Sequence, residues 1–161
     1  IWVDHGRLFD TEGEVPENID PIPFGRASIP REGTDLTVFA SSWMVHRSLE
    51  AAETLVSEGI SVEVVDPRTL VPLDEEAILR SVAKTGRLLV VDECHMRCGV
   101  GSEIAATVAE HAHGDLLAPI RRLATLDVPV PFSPPLEQYV EPTTAKILAA
   151  ARSVTGVQSE A

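Results

Sequence analysis

Aromatic side chains are scarce in this sequence: two Trp, one Tyr and four Phe, 4% of 161 residues. Any core must therefore be assembled from Val, Ile, Leu and Ala, and the 44% hydrophobic content is enough to do so. Basic residues are also few, 13 Lys and Arg against 25 Asp and Glu, for a net charge of −12. That balance argues against sequence-independent nucleic-acid binding, which rests on neutralising phosphates. It also leaves no polybasic patch for a membrane surface. No apolar run approaches the ~20 residues of a spanning helix, and no secretory leader is visible. The two cysteines, Cys94 and Cys98, lie four apart in what reads as one loop. A secreted disulfide framework needs more of them, more widely spaced, so a reducing cytoplasm is expected. The chain opens on Ile1-Trp2-Val3-Asp4 rather than methionine, which reads as part of a longer gene product.

Against these absences stands a clear rhythm. Residues 1–34 read as an irregular arm punctuated by Glu12, Glu14, Pro16, Glu17, Pro21 and Pro23. A compact domain follows over 35–155, with a disordered tail over 156–161. Leu36 to Ala40 is a short run of strand formers. Ser41 and Ser42 are N-cap candidates, and Val45, Leu49, Ala52, Leu55 and Val56 recur at helical spacing up to a capping Gly59. Ser61–Val65 reads as the second strand, and Asp74 as the cap of a helix with Ile78, Leu79 and Val82 inside, ending near Gly86. Leu88–Val91 is a third strand, Gly99–Gly101 opens a helix carrying Ile104, Ala105, Val108 and Ala112, and Ile120–Ala124 is a fourth strand. Residues 128–135 read as a proline-rich loop, and a last helix starts near Thr143. Alternating helices and nearly all-apolar strands predict an α/β fold with a largely parallel sheet covered on both faces. Such sheets place their working groups beyond the carboxyl ends of the strands. Here those ends are Ser41-Ser42-Trp43, Asp66-Pro67-Arg68 and Asp92-Glu93-Cys94-His95.

Each candidate constellation has a plain structural reading beside a chemical one. Gly99-Val100-Gly101-Ser102-Glu103 stands where a helix start can hold an anion. It lacks the third glycine of a dinucleotide fingerprint and the lysine of a P-loop. Glu103 would favour the helix and repel a phosphate, so a tight turn with close packing is expected. Cys94, His95 and Cys98 carry soft metal donors, with His111 and His113 in the next helix, but no second Cys/His pair completes a four-ligand site. Nothing near Cys94 in sequence is positioned to serve as its base. Asp66, Arg68, Asp92 and Glu93 read as an ion-pair and hydrogen-bond network at the strand ends, in preference to an acid–base pair. Trp43 and His46 at a helix start are candidates for a partner contact.

A longer series of words is more specific. Arg31-Glu32-Gly33-Thr34-Asp35-Leu36-Thr37, Gly59-Ile60-Ser61-Val62-Glu63-Val64-Val65-Asp66-Pro67-Arg68-Thr69-Leu70, Pro72-Leu73-Asp74, Gly99-Val100-Gly101-Ser102-Glu103-Ile104-Ala105-Ala106 and Asp127-Val128-Pro129-Val130-Pro131 run through the chain. Together they resemble the transketolase C-terminal-like domain of the beta subunit in thiamine-diphosphate-dependent 2-oxoacid dehydrogenases, the pyruvate, branched-chain and acetoin enzymes. Gly13-Glu14-Val15-Pro16 and Ile22-Pro23-Phe24-Gly25-Arg26-Ala27 resemble the family's connector from the preceding pyrimidine-binding domain. The resemblance implies a three-layer α/β/α sandwich on a small mixed sheet with one antiparallel strand. It implies thiamine diphosphate and Mg bound outside this chain, no catalytic residue within it, and inactivity alone. The implied partners are an alpha subunit, a second beta subunit and the subunit-binding module of a dihydrolipoyl acyltransferase. Trp43, His46, Asp66, Arg68, Glu93, His95, Glu137 and Glu141 are the expected interface or strand-end residues. Pro67 replaces the leucine common among relatives, so the corner must not need that N–H. Val91-Asp92-Glu93 with Arg97-Cys98 leans towards the acetoin-cleaving branch. The alternative from residues alone is a free-standing domain that binds an anion or nucleotide at the strand-end crevice.

Overall fold

A computed structural model describes residues 1, 3–14, 17 and 21–156. Val15 and Pro16 of the connector words, and 157–161 of the expected tail, lie outside the described residues. The elements run β1 (Ser28–Arg31), β2 (Leu36–Ala40), α1 (Trp43–Val56), β3 (Val62–Asp66), α2 (Glu75–Thr85), β4 (Leu88–His95), α3 (Val100–His111), β5 (Arg121–Thr125), α4 (Pro134–Val140) and α5 (Thr144–Thr155). Short 3-10 turns cover Gly6–Leu8 and His113–Asp115. The sheet order is β1-β3-β2-β4-β5, parallel except that β1 runs antiparallel to β3. The four parallel strands follow the expected alternation. The antiparallel one is the strand that the family resemblance implied.

The sheet has two separate cores because its strands are buried on both faces. Val38, Val64, Leu89 and Val91 pack with Met44, Leu55, Ile147 and Ala151 of α1 and α5. On the other face Phe39, Val65, Leu88 and Val90 pack with Ile78, Val82, Ile104 and Val108 of α2 and α3. Three layers result. The largest fully buried side chain is Phe39, and aliphatic residues fill nearly all the rest, as the aromatic scarcity requires.

Three stretches differ from expectation. Residues 28–31, read as part of an irregular arm, form β1. Pro30 is tolerated because an edge strand ladders on one side only, and the register shifts between Ser28 and Arg31. The proline-rich run does not stay a loop to residue 135. Pro134 and Pro135 occupy the first turn of α4 behind Ser133, where a missing N–H costs nothing. Strand β4 also outlasts its apolar run and carries Cys94 and His95, so the cysteines do not share one loop. At the far end Gly156 caps α5 in the left-handed region.

One polar pair crosses the α2 face of the sheet. Glu63 is fully buried in β3. Its Oε2 accepts from Lys84 Nζ of α2 and from the Gly33 N–H at 3.3 Å. Gly33 lies so close to β3 that a Cβ there would stand 2.1 Å from the Val62 carbonyl carbon. Next to it, Thr37 Oγ1 lies 2.7 Å from both Ser81 and Thr85 hydroxyls. Lys84 bridges onward to Glu32 at 2.8 Å. Removing the ammonium strands a buried carboxylate, so Lys84→Met is expected to lower stability by about 3 kcal/mol. Urea denaturation of Lys84→Met and of Glu63→Gln/Lys84→Met checks this, and the double variant should recover part of the loss.

Candidate functional site at the carboxyl edge of the sheet

Parallel β2, β3, β4 and β5 bring four loops to one edge. Three of them carry a non-glycine residue at positive φ: Ser42 at 55°, Arg68 at 56° and Cys98 at 57°. Such conformations are held only where surrounding bonds dictate them, and they cluster at functional edges. Ser42 is the N-cap of α1 but its hydroxyl caps nothing; backbone carbonyls of Ser41 and Ser42 receive the Met44 and Val45 N–H groups instead.

Two strand ends use one device. Asp66 Oδ1 accepts from the Arg68 N–H at 3.0 Å, and Asp92 Oδ1 accepts from the Cys94 N–H at 3.0 Å. The corner's bond comes from Arg68, so Pro67 costs no donor. Asp92 is 7% exposed, and its other oxygen accepts from the Gly101 N–H at 3.2 Å. The helix start that resembled an anion seat thus holds the chain's own carboxylate. A Cβ on Gly99 would lie 2.5 Å from the His95 carbonyl oxygen, and one on Gly101 3.1 Å from Val90 Cγ1. Both glycines permit close packing of α3 on β4. Ser102 is taken by Arg122, whose guanidinium also reaches the Met96 carbonyl, at 2.7 and 3.0 Å. Between them Val90, Asp92, Met96, Gly101 and Arg122 leave a recess for about one water molecule.

The expected strand-end network does not form as one cluster. Asp66 and Asp92 bind backbone. The Arg68 guanidinium makes no ion pair or hydrogen bond among the described residues. Glu93 instead meets His5 of the arm at 3.1 Å. His95 Nε2 lies 3.0 Å from the Val128 carbonyl oxygen, and Arg97 pairs with Asp127 at 3.1 Å, so the loop after β4 is laced to the loop after β5. His46 is exposed and stacks on Trp43 with centroids 5.6 Å apart. The buried Trp43 Nε1 has no hydrogen-bond partner among the described residues. Cys94 is no activated nucleophile. Partial burial, then the nearby Asp92 and Glu93 carboxylates, push its thiol pKa up. No three His, Cys, Asp or Glu side chains converge as a metal site among the described residues.

Glu137 lies in the first turn of α4, and Glu141 caps its C-terminus. The Glu141 carboxylate is 13% exposed and receives Arg47 at 2.9 Å and Arg7 at 3.0 Å. Glu137 is 3.8 Å from the same Arg7. Arg47 also donates to the Pro142 carbonyl. Lys146 closes the C-terminus of α4 by binding the Gln138 and Glu141 carbonyls at 3.1 and 2.7 Å. Arg7, Arg47 and Lys146 escaped the sequence reading. Arg7 and Glu141 are 134 residues apart, and no local pattern joins them.

The family described as transketolase, C-terminal domain, matches residues 25–147. The chain belongs to that family. It is 51% identical over 152 residues to the beta subunit of acetoin:2,6-dichlorophenolindophenol oxidoreductase from Cupriavidus necator, covering 94% of this chain and 45% of that protein. It is 42% identical to the 2-oxoisovalerate dehydrogenase subunit beta of Bacillus subtilis, covering 96% and 48%. It is 40% identical to the pyruvate dehydrogenase E1 component subunit beta of Rickettsia felis, covering 96% and 47%. A solved "split gene transketolase, inactive beta4 tetramer" superposes with a TM-score of 0.73 at 30% identity, covering 89% of this chain and 46% of that one. The chain spans less than half the length of these relatives. A transketolase of Pichia stipitis, 14% identical with a TM-score of 0.56, shares the fold.

Two carboxylates at the ends of this site fix its response to acid. Burial raises the Glu141 pKa, but the Arg47 and Arg7 guanidiniums outweigh it and hold the group below the usual carboxylate range. Burial likewise opposes ionisation of Asp74, which two N–H groups, from Ala27 at 2.9 Å and Ala77 at 3.1 Å, overcome. The unfolded chain binds these protons first, so their stabilisation is complete above the ordinary carboxylate range and is lost as pH falls through the depressed values. Urea midpoints between neutral pH and about pH 3 should fall on acidification. In Asp74→Asn the neutral-pH midpoint should be lower and the fall shallower. A midpoint that rises on acidification contradicts the assignment.

Proposed function

We propose that this chain is the assembly domain of the beta subunit of a thiamine-diphosphate-dependent dehydrogenase of the 2-oxoacid and acetoin group, inactive on its own. One observation carries the reading. The carboxylates of the carboxyl edge, Asp66, Asp92, Glu93 and Asp127, are bound within the chain, while large apolar side chains on the same loops are exposed. Leu70 and Val71 after β3, and Val128, Val130 and Phe132 after β5, are exposed, Phe132 at 99%. Leu136 and Tyr139 of α4 are exposed as well. An edge with few free catalytic groups and many exposed hydrophobics fits an obligate subunit contact.

In this reading residues 1–34 are the connector from a pyrimidine-binding domain, its last part recruited into the sheet as β1, and 35–155 form the docking body. The neighbours at the edge are the alpha subunit and a second beta subunit. Glu137 and Glu141 would face the basic subunit-binding module of the acyltransferase. The names of the relatives support the reaction class, an oxidoreductase, with the acetoin branch favoured by the 51% match. Thiamine diphosphate and Mg do not fit this edge: Asp92 fills the amide seat, Glu103 adds a second negative charge, and no metal-ligand group converges among the described residues. No step of the reaction is assigned to these residues. The same carboxylate speaks against a free-standing anion-binding domain.

Without its neighbours the apolar edge should pair with itself. Sedimentation velocity at tens of micromolar is expected to show self-association that Val130→Ser/Phe132→Ser disperses to monomer. A wild-type chain that stays monomeric across that range overturns the assignment of this edge as a subunit contact.

A further inference from the structure

The arm is clasped to the carboxyl edge at two points on different elements. His5 reaches Glu93 on β4 at 3.1 Å, and the 3-10 turn Gly6–Leu8 then sets Arg7 against Glu141 at 3.0 Å and Glu137 at 3.8 Å. His5 Nδ1 accepts the Arg7 N–H at 3.2 Å, which couples the two contacts. Arg7 makes two bonds to Glu141, from Nη1 to both oxygens at 3.0 and 3.3 Å. Arg47 holds Glu141 from beneath, at a side-chain exposure of 16%, while Arg7 covers it from outside at 39%. Glu141 therefore has one permanent guanidinium and one that stands between it and solvent.

We propose that residues 5–8 are a displaceable strap, with Arg7 occupying the place that a basic partner takes on Glu137 and Glu141. This deepens, and in part rests on, the reading of those carboxylates as a docking site for a basic module. A cationic segment must displace Arg7 to reach Glu141, and Arg47 keeps the carboxylate oriented while it does so. Exposed ion pairs are weak and screened by salt, so the strap opens readily and the exchange is close to balanced. Displacement also frees the Glu93 contact, because His5 and Arg7 sit in one short turn. Docking at α4 is thereby linked to release of the connector from the tip of β4.

Trypsin reads the strap directly, since Arg7 is itself a cleavage site. In folded protein, Glu141→Gln and Glu93→Gln are each expected to speed cut formation at Arg7–Leu8 by about three- to ten-fold over wild type, the scale of one released surface pair. Cleavage after Arg97, whose partner is Asp127, should not change. Equal rates at Arg7 in all three proteins overturn the strap. An octa-arginine peptide at low salt then reads the shielding: Arg7→Ala should bind it about three- to ten-fold more tightly than wild type, the same pair now absent from the competition. Equal affinities overturn the shielding while accelerated cleavage upholds the strap. Failure of the peptide to bind either protein overturns the docking reading of the two carboxylates, and the cleavage result still decides the strap.

Discussion

Asp92 ties β4 to α3, and the character of the carboxyl edge follows from that attachment. Its two oxygens take the N–H groups of Cys94 and Gly101 from within a nearly buried position. A carboxylate that accepts backbone donors there does what a bound phosphate does at many helix starts. That seat is filled from inside, by the chain's own carboxylate. Gly99 and Gly101 are then needed for contact, because any side chain would meet His95 or Val90. The neighbouring loops inherit the arrangement: Arg122 holds Ser102, His95 approaches the Val128 carbonyl, and Arg97 holds Asp127.

Beside these engaged carboxylates the loops of the edge expose apolar side chains, Val71, Val130 and Phe132 among them. The two buried cores make the sheet a rigid plate on which the loops are mounted, and the Glu63–Lys84 bridge pins α2 to it. Lys84 is partly exposed but its partner is not, so the bridge acts as an anchor whose loss is felt through the stranded carboxylate. The opposite arrangement holds at α4, where arginines from the arm and from α1 converge on one glutamate and the outer one faces water.

Much of the fold was legible because parallel strands buried on both faces leave a continuous apolar signature. Leu36–Ala40 stands as expected, and β3 and β5 are displaced by a single residue. Gly59 and Asp74 end and begin helices as their chemistry requires. The antiparallel β1 was invisible residue by residue, since Ser28-Ile29-Pro30-Arg31 is half exposed and interrupted by proline; family wording alone implied such a strand. Helix α4 was hidden because prolines at a helix start resemble prolines in a loop. At the edge, the types of residue were legible and their partners were not. Asp66, Arg68, Asp92 and Glu93 all lie at strand ends, but whether an aspartate meets an arginine or a backbone amide is decided by local turn geometry. Arg7, Arg47 and Glu141 meet only through tertiary folding.

The central claim is that this edge braces neighbours and binds no coenzyme. Calorimetric titration of thiamine diphosphate with Mg²⁺ into the chain alone tests it most directly. The account predicts only heats of dilution. A saturable heat with micromolar affinity, abolished by Gly99→Ala, would contradict it.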